Sequence, residues 1–323
     1  MTVGADATIS LEMGKLTGWG ILLVIDKSEV VSGSAATTEP VKAERPLTKT
    51  PMYAAMNAGR YQRQELIKQI NAAEHTNLVC YVGGLETEID RNDVIGFVEM
   101  LHNIPENSPI DLLLNTGGGD VDACEKLVSL IHAKARDKEF RVIVTDLAKS
   151  AGTLMALGAN TIIMSDASEL GMIDPQFLMR DARGNELFYS VTGYLEAYEE
   201  HCGALRKNPQ DQVALLMLDG FDARTVKKFQ GIRDRVRTFA EDMLKRRGAP
   251  SSMISQELMS SARWKTHGQP IDYANAKQIG LPIEYLPPTN ERWSRYWELY
   301  CLLRLETQEG KKIYESAYAS QIV

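Results

Sequence analysis

Short apolar runs alternate with longer segments of helical periodicity across the middle of the chain. The apolar runs lie at 78–82, 110–114, 140–145 and 161–164. Each run is apolar on both faces, which predicts a strand that is covered on both sides. Segments that repeat apolar residues every three or four positions lie at 90–104, 121–135 and 150–159. Strands alternating with helices predict right-handed βαβ units, a mostly parallel sheet and therefore the α/β class.

The pattern changes beyond Asp174, where strands become sparse. Helical patterns follow at 189–206, 211–218 and 225–247, with breaks at Pro209 and Gly220. They predict a helical insertion over about 189–248. A short helix at 274–279 and an edge strand at 283–286 are then expected to return the chain to the sheet.

Both ends of the chain differ from this central part. Residues 32–51 are rich in Ser, Thr, Ala, Pro and charge, which predicts an irregular arm over 1–58. The main domain is expected over 59–288, where two prolines mark a boundary. The tail at 289–323 carries aromatic residues at helical spacing. A helix this apolar should pack on the domain or on another subunit.

Composition narrows the classes of function. The chain has 323 residues, a net charge of −7 and a pI near 5.4, which disfavours nucleic-acid binding because that function needs a basic face. No segment reaches the roughly 18 apolar residues of a transmembrane helix, so no integral membrane segment is predicted. The four cysteines are far apart in sequence and form no metal or redox motif. These features favour a cytoplasmic protein with no metal and no cofactor.

A glycine turn marks the first candidate site. The segment NTGGGD at 115–120 places Gly117, Gly118 and Gly119 between a predicted strand and a predicted helix. Glycines there let the backbone turn sharply and approach a ligand, and Asp120 can cap the helix. The turn could cradle a phosphate, form an oxyanion hole or serve only as a tight connection.

The second candidate site is AKSAGT at 148–153, which again joins a strand to a helix. Ser150 would lie at the mouth of the sheet, and the amide of Ala151 could stabilise an oxyanion. Ser150 has two interpretations, a nucleophile or a residue that caps the helix. Both glycine turn and serine follow neighbouring parallel strands at their carboxyl ends, where open α/β sheets hold ligands. That pairing favours a functional site.

A third segment, SELGMIDPQ at 168–176, follows the next strand and contains Asp174. A residue that precedes a proline adopts an extended or turn conformation. The segment therefore predicts that Asp174 is either a turn carboxylate or a catalytic carboxylate.

Four segments in order carry a resemblance: NTGGGDVDACEKLV, AKSAGTLMALGA, SELGMIDPQ and HGQPIDYANAKQIGL. Together with RYQRQELIKQI they cover roughly half of the chain. They resemble the Clp-protease/crotonase superfamily and, more closely, the serine dehydrogenase proteinase family, relatives of signal peptide peptidase A. The resemblance implies a Clp/crotonase-like ββα superhelix, Ser150 as nucleophile and the amides of Gly118 and Ala151 as oxyanion hole. It also implies a ring-shaped or stacked homo-oligomer that admits small or unfolded peptides.

The chain departs from the Clp pattern at the general base. Asp174 occupies the position of the Clp histidine, so the Ser-His-Asp triad does not transfer. A serine hydroxyl needs a base within hydrogen-bond reach. Signal peptide peptidase relatives use a lysine roughly fifty residues after the serine. Lys207 is the candidate nearest to that spacing. His267 is the other candidate, oriented by Asp174, although the pattern favours a hydrogen-bonded structural histidine over a base.

The sequence therefore predicts a serine peptidase that acts on peptides or unfolded proteins through Ser150, with a lysine or another base that differs from the Clp type. Two alternatives stay open. The same fold can stabilise an enolate of an acyl-CoA thioester with two backbone amides. The missing Clp histidine and the aromatic tail also permit a non-catalytic oligomeric scaffold.

Overall fold

The computed structural model describes residues 49–84, 86–180, 184–246 and 248–323. Its strands are β1 Asn77–Gly83, β2 Ile110–Thr116, β3 Phe140–Ala148, β4 Thr161–Met164, β5 Glu169–Leu170, β6 Gln176–Arg180, β7 Glu186–Ser190, β8 Ile283–Tyr285, β9 Lys312–Ser316 and β10 Ser320–Ile322. In this described part, eight of them form one sheet in the order β10-β9-β1-β2-β3-β4-β8, with β5 beside β3. Strands β6 and β7 form a separate hairpin.

The central pairs of the sheet are parallel, from β1 to β2, β3, β4 and the edge strand β8. Strands β9 and β10 extend the sheet beside β1 in antiparallel orientation. The α/β class with a mostly parallel sheet is therefore confirmed. The parallel order also carries the ends of β2 and β3 to one edge of the sheet, where the two loops of interest begin.

Helices join and cover the strands. They are α1 Pro51–Met56, α2 Ala58–Glu74, α3 Asp93–Leu101, α4 Val121–Ala135, α5 Ala151–Leu157, α6 Val191–Lys207, α7 Gln212–Asp219, α8 Ala223–Lys245, α9 Ser251–Leu258, α10 Tyr273–Gln278 and α11 Glu291–Glu306. Helix α4 shows how the sequence sets these elements. Asp120 accepts the amide N–H of Ala123 at 2.8 Å, as the prediction of a cap required.

Two apolar layers lie on opposite faces of the sheet, which explains why the strands are apolar throughout. In β1, Val79 and Tyr81 pack with α3, α4, α5 and α8, whereas Cys80 and Val82 pack with α2 and α11. The aromatic tail belongs to the second layer, where Tyr296 is fully buried. The tail therefore packs on its own chain.

The structure adds elements that the pattern did not predict. The helix expected from residue 189 begins at Val191, because the residues before it form β7. The tail ends in β9 and β10 as well as in the predicted helix. Both had been obscured by composition, since β7 is exposed and β9 contains Lys312 and Glu315. Of the predicted arm over 1–58, residues 1–48 lie outside the described part, and residues 51–56 form α1.

A buried ion pair ties the end of the chain to its first long helix. Arg63 on α2 donates to Glu315 on β9 at 2.5 Å, and their side chains are 3% and 0% exposed. Arg63 also contacts Glu306 on α11 at 2.6 Å. Burial raises the pKa of Glu315, and the neighbouring guanidinium of Arg63 opposes that rise. The pair lets a charged strand enter the sheet.

We expect Arg63→Met to lower the free energy of unfolding by about 3–5 kcal/mol, because it leaves the carboxylate of Glu315 buried without its partner. Urea denaturation measures the change. Lys134→Met is the matched control. It breaks a pair with Glu106, which is 56% exposed, and should cost at most about 1 kcal/mol. Equal effects of the two variants would contradict this role for the buried pair.

Candidate active site

Register between two parallel strands brings the glycine turn and the serine together. Thr116 at the end of β2 lies opposite Ala148 at the end of β3. The amide N–H of Lys149 donates to the carbonyl of Thr116 at 3.0 Å, so the two strands remain joined up to the point where their loops begin. Gly117 and Ser150 therefore enter the same space at the carboxyl edge of the sheet.

Gly118 and Ser150 approach so closely that only glycine fits at position 118. A Cβ added to Gly118 would lie 2.8 Å from the Cβ of Ser150 and 2.9 Å from the carbonyl oxygen of Lys149. The φ angle of Gly118 is +113°, a region that side chains disfavour. Ile89 fixes the turn from the other side: its amide donates to the carbonyl of Gly118 at 2.7 Å.

Ser150 stands at the N-cap position of α5 but does not act as its cap. Its φ of +50° and ψ of −113° are unusual for a residue with a side chain, and its hydroxyl makes no capping hydrogen bond. Among the described residues, its Oγ contacts no hydrogen-bond partner. Strained backbone of this kind is concentrated at functional sites. The interpretation of Ser150 as a helix cap requires a hydrogen bond from its side chain to the start of α5. The structure shows no such bond.

The two predicted oxyanion donors differ in their surroundings. Within the described part of the chain, the amide N–H of Ala151 has no acceptor, and Ala151 is fully buried. The amide N–H of Gly118 instead donates to Oγ1 of Thr116 at 3.2 Å. The amide of Ala151 thus has no acceptor to give up, whereas Gly118 must exchange one partner for another before it can bind a ligand.

A cavity of about 710 Å³ contains the serine and the glycine turn. Its lining comes from the glycine turn, the start of α4, the segment around Gln176, helix α8 and the loop before α10. The lining residues are Glu88, Gly117, Gly118, Gly119, Asp120, Val121, Asp122, Ser150, Pro175, Gln176, Phe188, Lys228, Gly231, Ile232, Arg235, Val236 and His267. A space of this size can accommodate a short peptide segment.

His267 faces this cavity and belongs to a chain of polar contacts. The side-chain nitrogen of Gln176 donates to Oδ2 of Asp174 at 2.7 Å and lies 3.3 Å from Nδ1 of His267. Asp174 is buried, and its Oδ1 accepts the amide N–H of Thr192 at 3.2 Å. Asp174 and His267 are therefore connected, as expected, but through Gln176.

Burial lowers the pKa of His267 below its usual value of 6.5, and the positive charge of Lys149 adds to this effect. The negative charge of Asp174 opposes the shift. The imidazole is consequently neutral near pH 7, the state in which a histidine can accept a proton.

Lys207 occupies a different place from the one that its spacing suggested. Lys207 is exposed at the C-terminal end of α6 and does not line the cavity, so the structure does not bring it together with Ser150. Lys149 points away from the serine. Its Nζ forms an ion pair with Glu169 at 2.8 Å and donates to the carbonyls of Leu170 and Gly268.

Several residues that line the cavity come from parts of the chain for which no role was predicted. Phe188 on β7 is 70% exposed, Ile232 and Val236 lie on α8, and Nζ of Lys228 lies 4.4 Å from the ring centre of Phe177. The amphipathic period of α8 predicted a packed helix but could not show that it closes a cavity. The motif SELGMIDPQ includes Gln176, but nothing in the motif indicated that this residue contacts both Asp174 and His267.

In the residues that the structure describes, no group of three or more His, Cys, Asp or Glu side chains is placed to hold a metal ion. Within the same residues, no helix has the length and apolarity that crossing a membrane requires.

Most of the chain matches one known protein family. The profile of the ClpP-like SDH-type serine proteinases matches residues 63–309, more than three quarters of the chain. The chain belongs to this family. The resemblance to serine dehydrogenase proteinases is thus confirmed, and with it the Clp/crotonase-like fold. The match contains every candidate site residue of this chain, from Gly117 to His267.

Two relatives come from Methanocaldococcus jannaschii. The uncharacterized protein MJ0137 is 31% identical over 205 residues, which are 63% of this chain and 60% of that protein. The uncharacterized protein MJ1495 is 27% identical over 180 residues, 55% of this chain and 53% of that protein. The alignments therefore span only between half and two thirds of these two relatives.

Two solved structures are distantly similar, and both are of the membrane-bound stomatin-specific protease 1510-N. A serine-to-alanine variant gives a TM-score of 0.41 at 16% identity and covers 68% of this chain and 84% of that one. A lysine-to-alanine variant in complex with a substrate peptide gives a TM-score of 0.38 at 14% identity and covers 70% and 98%. The family assignment rests on the match over residues 63–309 and not on these structures.

The close approach at Gly118 generates a test with a matched control. We expect Gly118→Ala to lower the free energy of unfolding by about 1–3 kcal/mol, because the added methyl group meets Ser150 and the backbone must keep a positive φ. Gly117→Ala should change stability by no more than about 0.5 kcal/mol, since nothing lies within 4 Å of an added Cβ. Thermal unfolding compares them. A tolerated Gly118→Ala would mean that the two loops are not in contact.

Proposed function

We propose that this protein is a serine peptidase in which Ser150 is the nucleophile. One observation carries the proposal: the Ser150 hydroxyl has no structural partner, sits on strained backbone and faces a cavity that it shares with the glycine turn. Membership of a serine proteinase family supports the same assignment. A hydroxyl held only by packing remains free to react with a bound carbonyl carbon.

The oxyanion would form beside the backbone amides that flank the serine. The N–H of Ala151 is free to donate to it, and a preformed donor of this kind lowers the barrier without a cost of reorganisation. Gly118 would supply the second donor by giving up its 3.2 Å contact with Thr116. This exchange favours the transition state, because the stronger charge-assisted bond is made only when the oxyanion develops.

His267 is the proposed base. It is the histidine that lines the cavity with Ser150, and its lowered pKa keeps it neutral at physiological pH. In acylation, Oγ of Ser150 forms a bond to the carbonyl carbon while its proton passes to the imidazole. The imidazolium then returns that proton to the departing amine as the peptide C–N bond breaks. A water molecule repeats these steps and releases the acyl group.

The two alternative functions receive less support. Family membership favours peptide hydrolysis over acyl-CoA chemistry. A non-catalytic scaffold would not need an unpaired, strained serine in a cavity. The cytoplasmic location and the homo-oligomer remain predictions from the sequence.

Covalent labelling tests the nucleophile. A fluorophosphonate probe should label the full chain at one site and lose that label in Ser150→Ala, because only an activated serine attacks the probe. Hydrolysis of a fluorogenic peptide library should fall in parallel. Ser294→Ala is the matched control, since Ser294 is exposed and bonds the backbone of its own helix. Equal labelling of the wild-type chain and Ser150→Ala would remove Ser150 from the mechanism.

The pH profile tests the base. A neutral imidazole is required, and its pKa lies below 6.5, so kcat/KM should fall only as the pH drops below that value. His267→Gln should reduce kcat/KM about 10²- to 10⁴-fold and abolish this acidic limb. Lys207→Ala should leave both rate and profile unchanged. A large loss in Lys207→Ala with an intact His267→Gln would reverse the assignment.

A further inference from the structure

The side-chain amide of Gln176 occupies an unusual place between an acid and an imidazole. One atom of that amide lies 2.7 Å from Oδ2 of Asp174 and 3.3 Å from Nδ1 of His267. In a Ser-His-Asp arrangement the carboxylate contacts the imidazole directly. Here a neutral group stands between them, so the proton positions must be worked out from its chemistry.

The chemistry of the Asp174 carboxylate determines which atom of the Gln176 amide lies between Asp174 and His267. An ionised carboxylate only accepts hydrogen bonds, so the atom beside Oδ2 of Asp174 must be the nitrogen of Gln176. That nitrogen carries two hydrogens. One goes to Asp174, and the other points to His267, whose Nδ1 must then be the acceptor. A neutral imidazole that accepts at Nδ1 carries its hydrogen on Nε2.

This tautomer bears directly on the reaction. Nδ1 is occupied by Gln176, so Nε2 is the nitrogen left to receive the proton of Ser150. With a hydrogen already on Nε2, it can donate but cannot accept. The imidazole in this arrangement therefore lines the same cavity as Ser150 but is in the form that does not act as a base.

We propose that Gln176 is a positioning residue that, held by Asp174, keeps His267 as the Nε2-protonated tautomer, and that the base-competent tautomer forms when the Gln176 amide turns over. The proposal rests on the role of His267 given above. Turning over places Oε1 opposite Nδ1, which then carries the ring hydrogen and leaves Nε2 with a lone pair. One proton moves between two nitrogens of the same ring, by exchange with water, and nothing else changes.

Asp174 opposes that turnover. With the amide reversed, Oε1 of Gln176 would face Oδ2 of Asp174, and two acceptors at hydrogen-bond distance repel each other. Asp174→Asn removes the conflict. The new Nδ2 can donate to Oε1 of Gln176, while Oδ1 still accepts the N–H of Thr192 as it does in the native chain. The substitution keeps size and the second contact, so it changes the proton pattern without opening a cavity.

Nitrogen-15 NMR of the histidine rings tests the proposal in the full chain. Spectra are recorded at pH 8, and the signals of His267 are assigned by their loss in His267→Gln. We expect a protonated Nε2 in the native chain and a protonated Nδ1 in Asp174→Asn. Gln176→Leu, which has neither donor nor acceptor, should lose the strong preference and give averaged shifts. Asp272→Asn, which alters an exposed helix cap, should leave the native pattern.

A kinetic measurement follows from the same change. The rate of fluorophosphonate labelling at Ser150 should rise in Asp174→Asn about tenfold, because the base-competent tautomer becomes the populated one. A protonated Nδ1 in the native chain, or an unchanged tautomer in Asp174→Asn, would overturn the proposal even if Ser150 is the nucleophile. The expected tautomer switch without any Ser150 labelling would instead sustain the role of Gln176 and count against the peptidase function.

Discussion

The site depends on one close contact between two loops, in which the backbone at Gly118 lies against Ser150. Strands β2 and β3 shift register after Leu114 but pair again at Thr116 and Ala148, so their loops leave the sheet side by side. Gly152 lets α5 approach the sheet, since a Cβ there would lie 2.6 Å from Cγ2 of Thr116. The serine and both proposed oxyanion donors are therefore positioned by main chain and small residues. Such a site tolerates little change in backbone position, because reacting groups must be held to within fractions of an ångström.

His267, the proposed base, lies in a loop that a few contacts connect to the sheet. Leu170 and Ile271 exchange two backbone hydrogen bonds of 2.9 Å, and Nζ of Lys149 reaches the carbonyl of Gly268. These contacts bring His267 to the cavity. The lysine next to the nucleophile thus acts in the structure as a connection between two segments. Asp174 joins the same group through Gln176, so the acid influences the imidazole by way of a neutral amide instead of by direct contact.

Sequence reasoning reached the parts of the structure that depend on local pattern. The bounds of α4 and β4 match their predicted ranges. An apolar period and the cap at Asp120 define α4, and a short apolar run defines β4. The pairing of Gly118 with Ser150 followed from the rule that parallel strands end at a common edge. Strand β9 was missed because Lys312 and Glu315 read as surface residues. Their partners, Asp93 and Arg63, come from distant parts of the chain.

The proposed base, His267, was the least predictable feature, because its contacts also come from distant parts of the chain. Spacing alone suggested Lys207, but the insertion carries that residue to an exposed helix end. The role of Gln176 depends on three side chains that meet only in the folded chain, and no local pattern distinguishes such an amide from an ordinary turn residue. Polar networks of this type require coordinates, because each partner is specified by its distance and not by its position in the sequence.

The most direct measurement is a crystal structure of the chain after reaction with a fluorophosphonate. The account predicts phosphorus bonded to Oγ of Ser150, with the phosphonyl oxygen about 3 Å from the amide nitrogen of Ala151. Phosphorus on another residue, or an oxygen that points away from Ala151 and Gly118, would contradict it.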